Sequence, residues 1–95
     1  GGENIYPAEI EQVMLADERV QEAVVVRRPD RKWSEVPVAF VVPADTSLTE
    51  NDLMDLCREN LSSYKRPKDI IFLADRDLPR STTGKVQRHE LEARL

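Results

Sequence analysis

Lys85 follows Gly84 in the run Leu78-Pro79-Arg80-Ser81-Thr82-Thr83-Gly84-Lys85-Val86. A glycine turn flanked by small hydroxyl residues can hold a lysine out toward an anionic ligand, because glycine allows the positive φ that sharp turns require. Two other stretches carry chemistry of a similar kind. Tyr64-Lys65-Arg66-Pro67-Lys68 sets a ring beside three cations, and Gly1-Gly2-Glu3-Asn4-Ile5-Tyr6-Pro7 begins with adjacent glycines past which a ligand can approach the backbone closely. Other chemistries fail on spacing. A phosphate-binding loop needs a glycine five positions before the second one and Ser or Thr after the lysine, where this chain has Pro79 and Val86. His89 and Cys57 are the only histidine and cysteine and stand far apart, so no metal-ligand pattern exists. Ser81, Thr82 and Thr83 have no local base to activate a nucleophile.

The elements that must position these residues follow from periodicity. Pro7 suits a first helical position, Ile10, Val13 and Met14 recur on one face, and Glu9 and Glu11 favour the helix start, which predicts a helix over 7–16. The β-branched runs in 20–27 and 36–42 predict two strands around the polar turn 29–34, with Pro37 at a strand start or on an edge. Thr49 and Asp52 form a capping-box variant ahead of a second helix whose buried stripe is Leu53, Leu56, Cys57 and Leu61, and Pro67 follows its end. A third strand is expected over 69–73, and a last helix over 86–95 anchored by Val86, Leu91 and Leu95. The order helix, two strands, helix, strand, helix implies an α+β fold: a small antiparallel-type sheet of about three strands covered by helices.

With 95 residues the chain makes one domain, and its 40 % hydrophobic content, mostly aliphatic, gives a modest core. A net charge of −4 argues against nucleic acid as the main partner, since backbone neutralisation needs a basic surface. The basic residues nonetheless gather in three connections, at 27–32, 65–68 and 76–88, and if these converge they make a local anion site on an acidic protein. One cysteine rules out an internal disulfide and suits a reducing compartment. No apolar run approaches the ~20 residues that span a bilayer, so a cytoplasmic setting is expected. The opening Gly1-Gly2, with no methionine, reads as the middle of a longer polypeptide.

Four motifs taken together resemble successive motifs of the C-terminal domain of adenylate-forming enzymes, the superfamily of acyl- and aryl-CoA synthetases, luciferases and peptide-synthetase adenylation domains. They are Gly1 to Pro7 with Glu9, Trp33-Ser34-Glu35-Val36-Pro37-Val38-Ala39-Phe40-Val41-Val42, Tyr64 to Pro67, and Leu78 to Lys85, and the resemblance covers essentially all of residues 1–95. It implies a small lid domain that swings between two poses against a large N-terminal domain, absent here, which binds ATP with Mg2+ and a carboxylic acid. In the first pose the lysine matching Lys85 would bridge the carboxylate and the α-phosphate. A fixed cation aimed at developing charge is often the largest catalytic contribution. In the second pose Gly1, Gly2 and Glu3 would help admit the thiol of CoA, and Trp33 would border the pantetheine. Tyr64, Arg66 and Lys68 match positions that meet the CoA nucleotide in some members, as a ring for adenine and two cations for phosphates; packing of Tyr64 under the second helix is the equal alternative. The glycine usual after the aromatic is Ser34 here, which puts the local turn in question.

The resemblance therefore implies part of an ATP-dependent acyl- or aryl-CoA synthetase, supplying Lys85 and part of the CoA channel. The rivals are an adenylation domain loading a carrier protein and a non-catalytic anion- or partner-binding module. Alone, the lid is expected to be inactive and to hold no cofactor. An excised lid also exposes its former interface and can pair with itself. Acetylation of Lys85 would remove its charge and donors, and the resemblance marks it as a target of protein acetyltransferases.

Overall fold

The computed structural model describes residues 5–95. Helix α1 (Pro7–Leu15) leads into strands β1 (Val20–Asp30) and β2 (Ser34–Pro43), helix α2 (Glu50–Asn60), strand β3 (Asp69–Phe72) and helix α3 (Arg88–Glu92). The sheet order is β1-β2-β3. The α+β class and the three strands are as expected, but the sheet is mixed: β2 pairs antiparallel with β1 and parallel with β3. The reason is the helix between β2 and β3, which returns the chain to the same end of the sheet before the third strand begins.

Alternation along the strands divides the core in two. Ala23, Val25, Ala39 and Val41 pack against Ile10 and Met14 of α1 and Leu53 and Cys57 of α2. Val24, Val26, Val38, Phe40 and Val42 pack on the opposite face against Leu78 and Leu91. A sheet covered on both faces accounts for unbroken apolar runs in place of a hydrophobic–polar alternation. Within α2, Leu53 and Cys57 are fully buried while Leu56 is only half-buried. The capping box at Thr49 and Asp52 is formed in both directions, at 3.1 and 3.0 Å.

Pro37 lies inside the central strand rather than at its start. Its carbonyl accepts from the Lys68 N–H at 2.8 Å, so its nitrogen faces the same side, where pairing with β3 begins only at Val38 and Asp69. No ladder donor is lost. The last helix starts two residues later than expected because Val86 bridges antiparallel to Arg80 and the Gln87 N–H is committed to the Pro79 carbonyl at 2.9 Å, and it ends at Glu92. Leu91 is fully buried, Val86 packs at the core's margin, and Leu95 is exposed.

The outer edge of β1 is closed by side chains. Glu11 of α1 accepts the Val25 N–H at 2.8 Å, and Arg88 of α3 donates to the Val25 carbonyl at 2.8 Å and to Glu11 at 2.7 Å. Two residues along, Glu92 accepts the Arg27 N–H at 3.1 Å. These contacts occupy backbone groups that an edge strand otherwise offers to another chain.

At the far end, β1 and β2 run on to Asp30 and Ser34, leaving only Arg31, Lys32 and Trp33 as the turn. Pro29 is tolerated because β1 is an edge strand. The Asp30 carboxylate accepts the N–H groups of Trp33 and Lys32, both at 2.9 Å, and these bonds hold its pKa below the ordinary value of 3.8. Ser34 has a φ of 70°, and the Glu35 N–H bonds back to the Trp33 carbonyl at 2.8 Å. This is the strained γ-turn with positive central φ. The turn geometry of a glycine is thus kept by a serine.

Three outcomes are expected. Glu11→Ala leaves the Val25 N–H without its acceptor and should lower unfolding free energy by about 1–3 kcal/mol in urea titrations. Ser34→Gly relieves a steric cost of about 1–2 kcal/mol against an entropic loss of about 0.4–1, and should raise stability by about 0.5–1 kcal/mol. Because its folded pKa is depressed, the support Asp30 gives is present above 3.8 and lost as pH falls below it. Emission from Trp33, the one tryptophan, should therefore shift only below pH 3.8, and Asp30→Asn should remove that step.

Candidate functional site

Lys85 stands at the end of a small hairpin. Arg80 and Val86 pair, the Ser81 N–H donates to the Lys85 carbonyl at 2.8 Å, and the Gly84 N–H donates to the Ser81 carbonyl at 2.9 Å. A three-residue loop of this kind calls for a left-handed residue in its last position. Gly84 supplies it with a φ of +88°, and a Cβ there would meet nothing within 4 Å, so the need for glycine is conformational rather than steric. The hydroxyls tighten the same turn: Ser81 Oγ accepts the Lys85 N–H at 3.2 Å and lies 2.8 Å from Thr83 Oγ1. The Lys85 side chain is exposed.

Arg80 ties this hairpin to the sheet. Its guanidinium donates to the Gly84 carbonyl at 3.2 Å, to Asp75 at 3.0 Å, and to Glu22 of β1. The hydrogen bond to Glu22, then that to Asp75, raises its pKa and secures its charge. Sequence alone places Arg80 only in a basic stretch, since the Glu22 carboxylate that anchors it to β1 is 58 residues away.

Trp33, Tyr64, Arg66 and Lys68 come together elsewhere, in a groove of about 260 Å³ whose floor includes Val36 and Pro37. Trp33 is 43 % and Tyr64 57 % exposed, so Tyr64 is not packed under α2 and both rings offer surface to the groove. Lys32 lies 5.1 Å from the Trp33 ring centroid. Lys65 reaches toward the rings of Tyr6 and Tyr64, at 5.3 and 5.8 Å, while its ion pair with Glu9, at 3.2 Å, raises its pKa. Arg66 also closes the end of α2, where its Nε and Nη2 donate to the carbonyls of Leu61 and Arg58, at 3.0 and 3.1 Å. Lys68 is exposed at the groove. Gly1, Gly2 and Glu3 lie outside the described residues, but Ile5, just beyond them, lines this groove.

Two of the three basic connections therefore converge and the third does not. The groove sits at the Asp30 end of β1, while the Lys85 hairpin is tied to Glu22. Those two strand positions are eight residues apart, roughly 26 Å of extended chain. Other cations are engaged in ion pairs, Arg28 with Asp69 at 2.6 Å and Arg88 with Glu11. Cys57 is fully buried, and burial pushes its thiol up. Among the described residues no group of three or more His, Cys, Asp or Glu could hold a metal ion, and no helix is long and apolar enough to cross a membrane.

Residues 9–85 match the AMP-binding enzyme C-terminal domain. The chain is 48 % identical over 94 residues to the 2-succinylbenzoate–CoA ligase of Listeria monocytogenes, covering 99 % of this chain and 20 % of that protein. Among solved structures it superposes on a Mycobacterium tuberculosis fatty acyl CoA synthetase with a TM-score of 0.89 and 39 % identity, over 99 % of this chain and 18 % of that one. It superposes on the o-succinylbenzoate CoA synthetase of Bacillus subtilis in complex with its acyl-adenylate intermediate with a TM-score of 0.87 and 41 % identity, over 97 % and 18 %. The chain spans about a fifth of the length of the curated relatives it matches. The motif order, the mixed sheet and these matches agree, and the chain belongs to the AMP-binding enzyme C-terminal domain family.

Proposed function

We propose that this chain serves an ATP-dependent acyl- or aryl-CoA synthetase, presenting Lys85 for adenylate formation and the Trp33–Tyr64 groove for thioester formation. The observation that carries the reading is the placement of an exposed lysine on a braced hairpin and an aromatic, basic groove at opposite ends of one sheet. A single active site on a larger partner domain could meet these surfaces only in turn. Rotation of the lid between half-reactions supplies that alternation.

In the first step the acid's carboxylate attacks the α-phosphorus of ATP, a P–O bond forms, and the bond to pyrophosphate breaks. Lys85, as a fixed ammonium, offsets the charge that builds on the α-phosphoryl oxygens. In the second step the CoA thiol displaces AMP from the acyl carbon. Trp33 and Tyr64 offer faces to adenine and the pantetheine arm, and Lys68 offers a cation to phosphate. Arg66 shapes the groove from its post at the end of α2, and the resemblance gives Gly1, Gly2 and Glu3, outside the described residues, a part in admitting the thiol. No site for magnesium lies among the described residues, and no step here runs through one. The acid-selecting pocket belongs to the upstream domain.

The test uses the full-length protein with ATP, CoA and a panel of acids that includes 2-succinylbenzoate and fatty acids, with thioester read by mass spectrometry. Lys85→Ala should cut adenylation, followed by pyrophosphate release, by about 100-fold or more, while leaving thioester formation from preformed acyl-adenylate within twofold. Lys68→Ala should instead raise the KM for CoA about 10-fold, the loss of one charge-assisted contact. Adenylation surviving in Lys85→Ala, or turnover of a holo-carrier protein in preference to CoA, would defeat the proposal.

A further inference from the structure

The loop that carries Lys85 hangs from Gly84, the residue with the fewest conformational restraints in the hairpin. A two-stranded hairpin is at best marginally stable in water by itself. Something has to fix the direction in which Lys85 leaves the chain. Arg80 occupies the place to do so.

The Gly84 carbonyl belongs to the same planar peptide unit as the Lys85 nitrogen. Holding that oxygen at 3.2 Å from the Arg80 guanidinium therefore fixes the plane from which the Lys85 side chain departs. The other end of the guanidinium is anchored twice, to Glu22 of β1 and to Asp75 at 3.0 Å, and Asp75 is itself oriented by the Gln21 amide at 3.3 Å. One planar fork joins three acceptors from two separate nitrogens held in fixed directions, a geometry that the single nitrogen of a lysine does not reproduce. Glu22 pairs with Val42 and directly precedes the buried run Ala23 to Val26 of β1, so the fork ties the turn to the sheet.

We infer that Arg80 is a positioning residue for Lys85, bracing the Gly84–Lys85 peptide against β1 so that the lysine is presented for adenylate formation. The inference rests on the reading of Lys85 as the adenylation cation. Displacements of about 1 Å in a positioned group can cost 100-fold in rate. The brace lies at the end of the sheet away from the groove, so its loss should be felt in one half-reaction only.

The experiment compares Arg80→Ala, Arg80→Lys and Lys85→Ala in the full-length protein, using the panel acid that the wild type adenylates fastest. Arg80→Ala should lower the kcat of adenylation about 10- to 100-fold, with the KM for ATP within twofold and thioester formation from preformed acyl-adenylate within twofold. Arg80→Lys should recover only part of the rate. Hydrogen exchange should show the amides of 81–87 opening at least about 10-fold faster in Arg80→Ala, with those of β2 unchanged. Lys85→Ala inactive with Arg80→Ala within twofold of wild type would overturn the inference alone. Equal loss of both half-reactions, or unchanged exchange over 81–87, would also overturn it by exposing a general folding role or no brace. Adenylation intact in Lys85→Ala would instead bring down the reading of Lys85 beneath it.

Discussion

The carboxylate of Glu11 and the guanidinium of Arg88, paired with each other, together occupy both hydrogen-bonding groups of Val25 on the outer edge of β1. Three elements meet at that one residue, α1 and β1 from the start of the chain and α3 from its end. The contact does for the edge what a fourth strand would do, and it does so with charged groups that discourage a second chain from adding there. It also ties α1, which packs on one face of the sheet, to α3, whose Leu91 is buried in the cluster on the other. A small core needs such ties, because a domain of this size buries too little surface to rely on packing alone.

That frame carries the two surfaces proposed to act in catalysis. At one end, β1 and β2 extend past the core into a turn held by Asp30 and strained at Ser34, and this turn delivers Trp33 to a groove completed by the segment after α2. At the other, the chain after β3 folds into a hairpin whose glycine and hydroxyls set the shape and whose Arg80 connects it to β1. Both surfaces are loops braced by charge-assisted hydrogen bonds to rigid elements. The hairpin stands clear of the sheet, whereas the groove rests on Val36 and Pro37 of β2, so the side chains its loops contribute can vary over a floor fixed by the sheet. Arg66 shows the economy this requires, since one side chain both closes a helix and borders a groove.

Local signals were the readable part. Pro7, the Thr49–Asp52 capping box and the runs at 24–26 and 38–42 each act over a few residues, and each lies in the element its pattern implies. The turn glycine before Lys85 was equally plain. What periodicity missed were outcomes set by distant partners. The last helix begins two residues late because Val86 pairs with Arg80, and Tyr64 stands exposed beside Lys65 although its type and spacing suited burial equally well. Nothing near Glu11 in sequence marks the Val25 N–H and the Arg88 guanidinium it accepts from, and nothing near Arg80 marks Glu22 as its acceptor.

By itself, the sequence determined the element types, the cap positions and the residues able to carry cation and stacking chemistry, because these depend on backbone propensities and side-chain identity within a turn or two. Only the tertiary structure decided that β3 runs parallel to β2, that Trp33, Tyr64 and Lys68 share one groove, and that Lys85 stands at the other end of the sheet. Those facts depend on the direction in which α2 returns the chain and on which charged groups find each other across it. They are properties of packed surfaces, and no span of local sequence contains both partners.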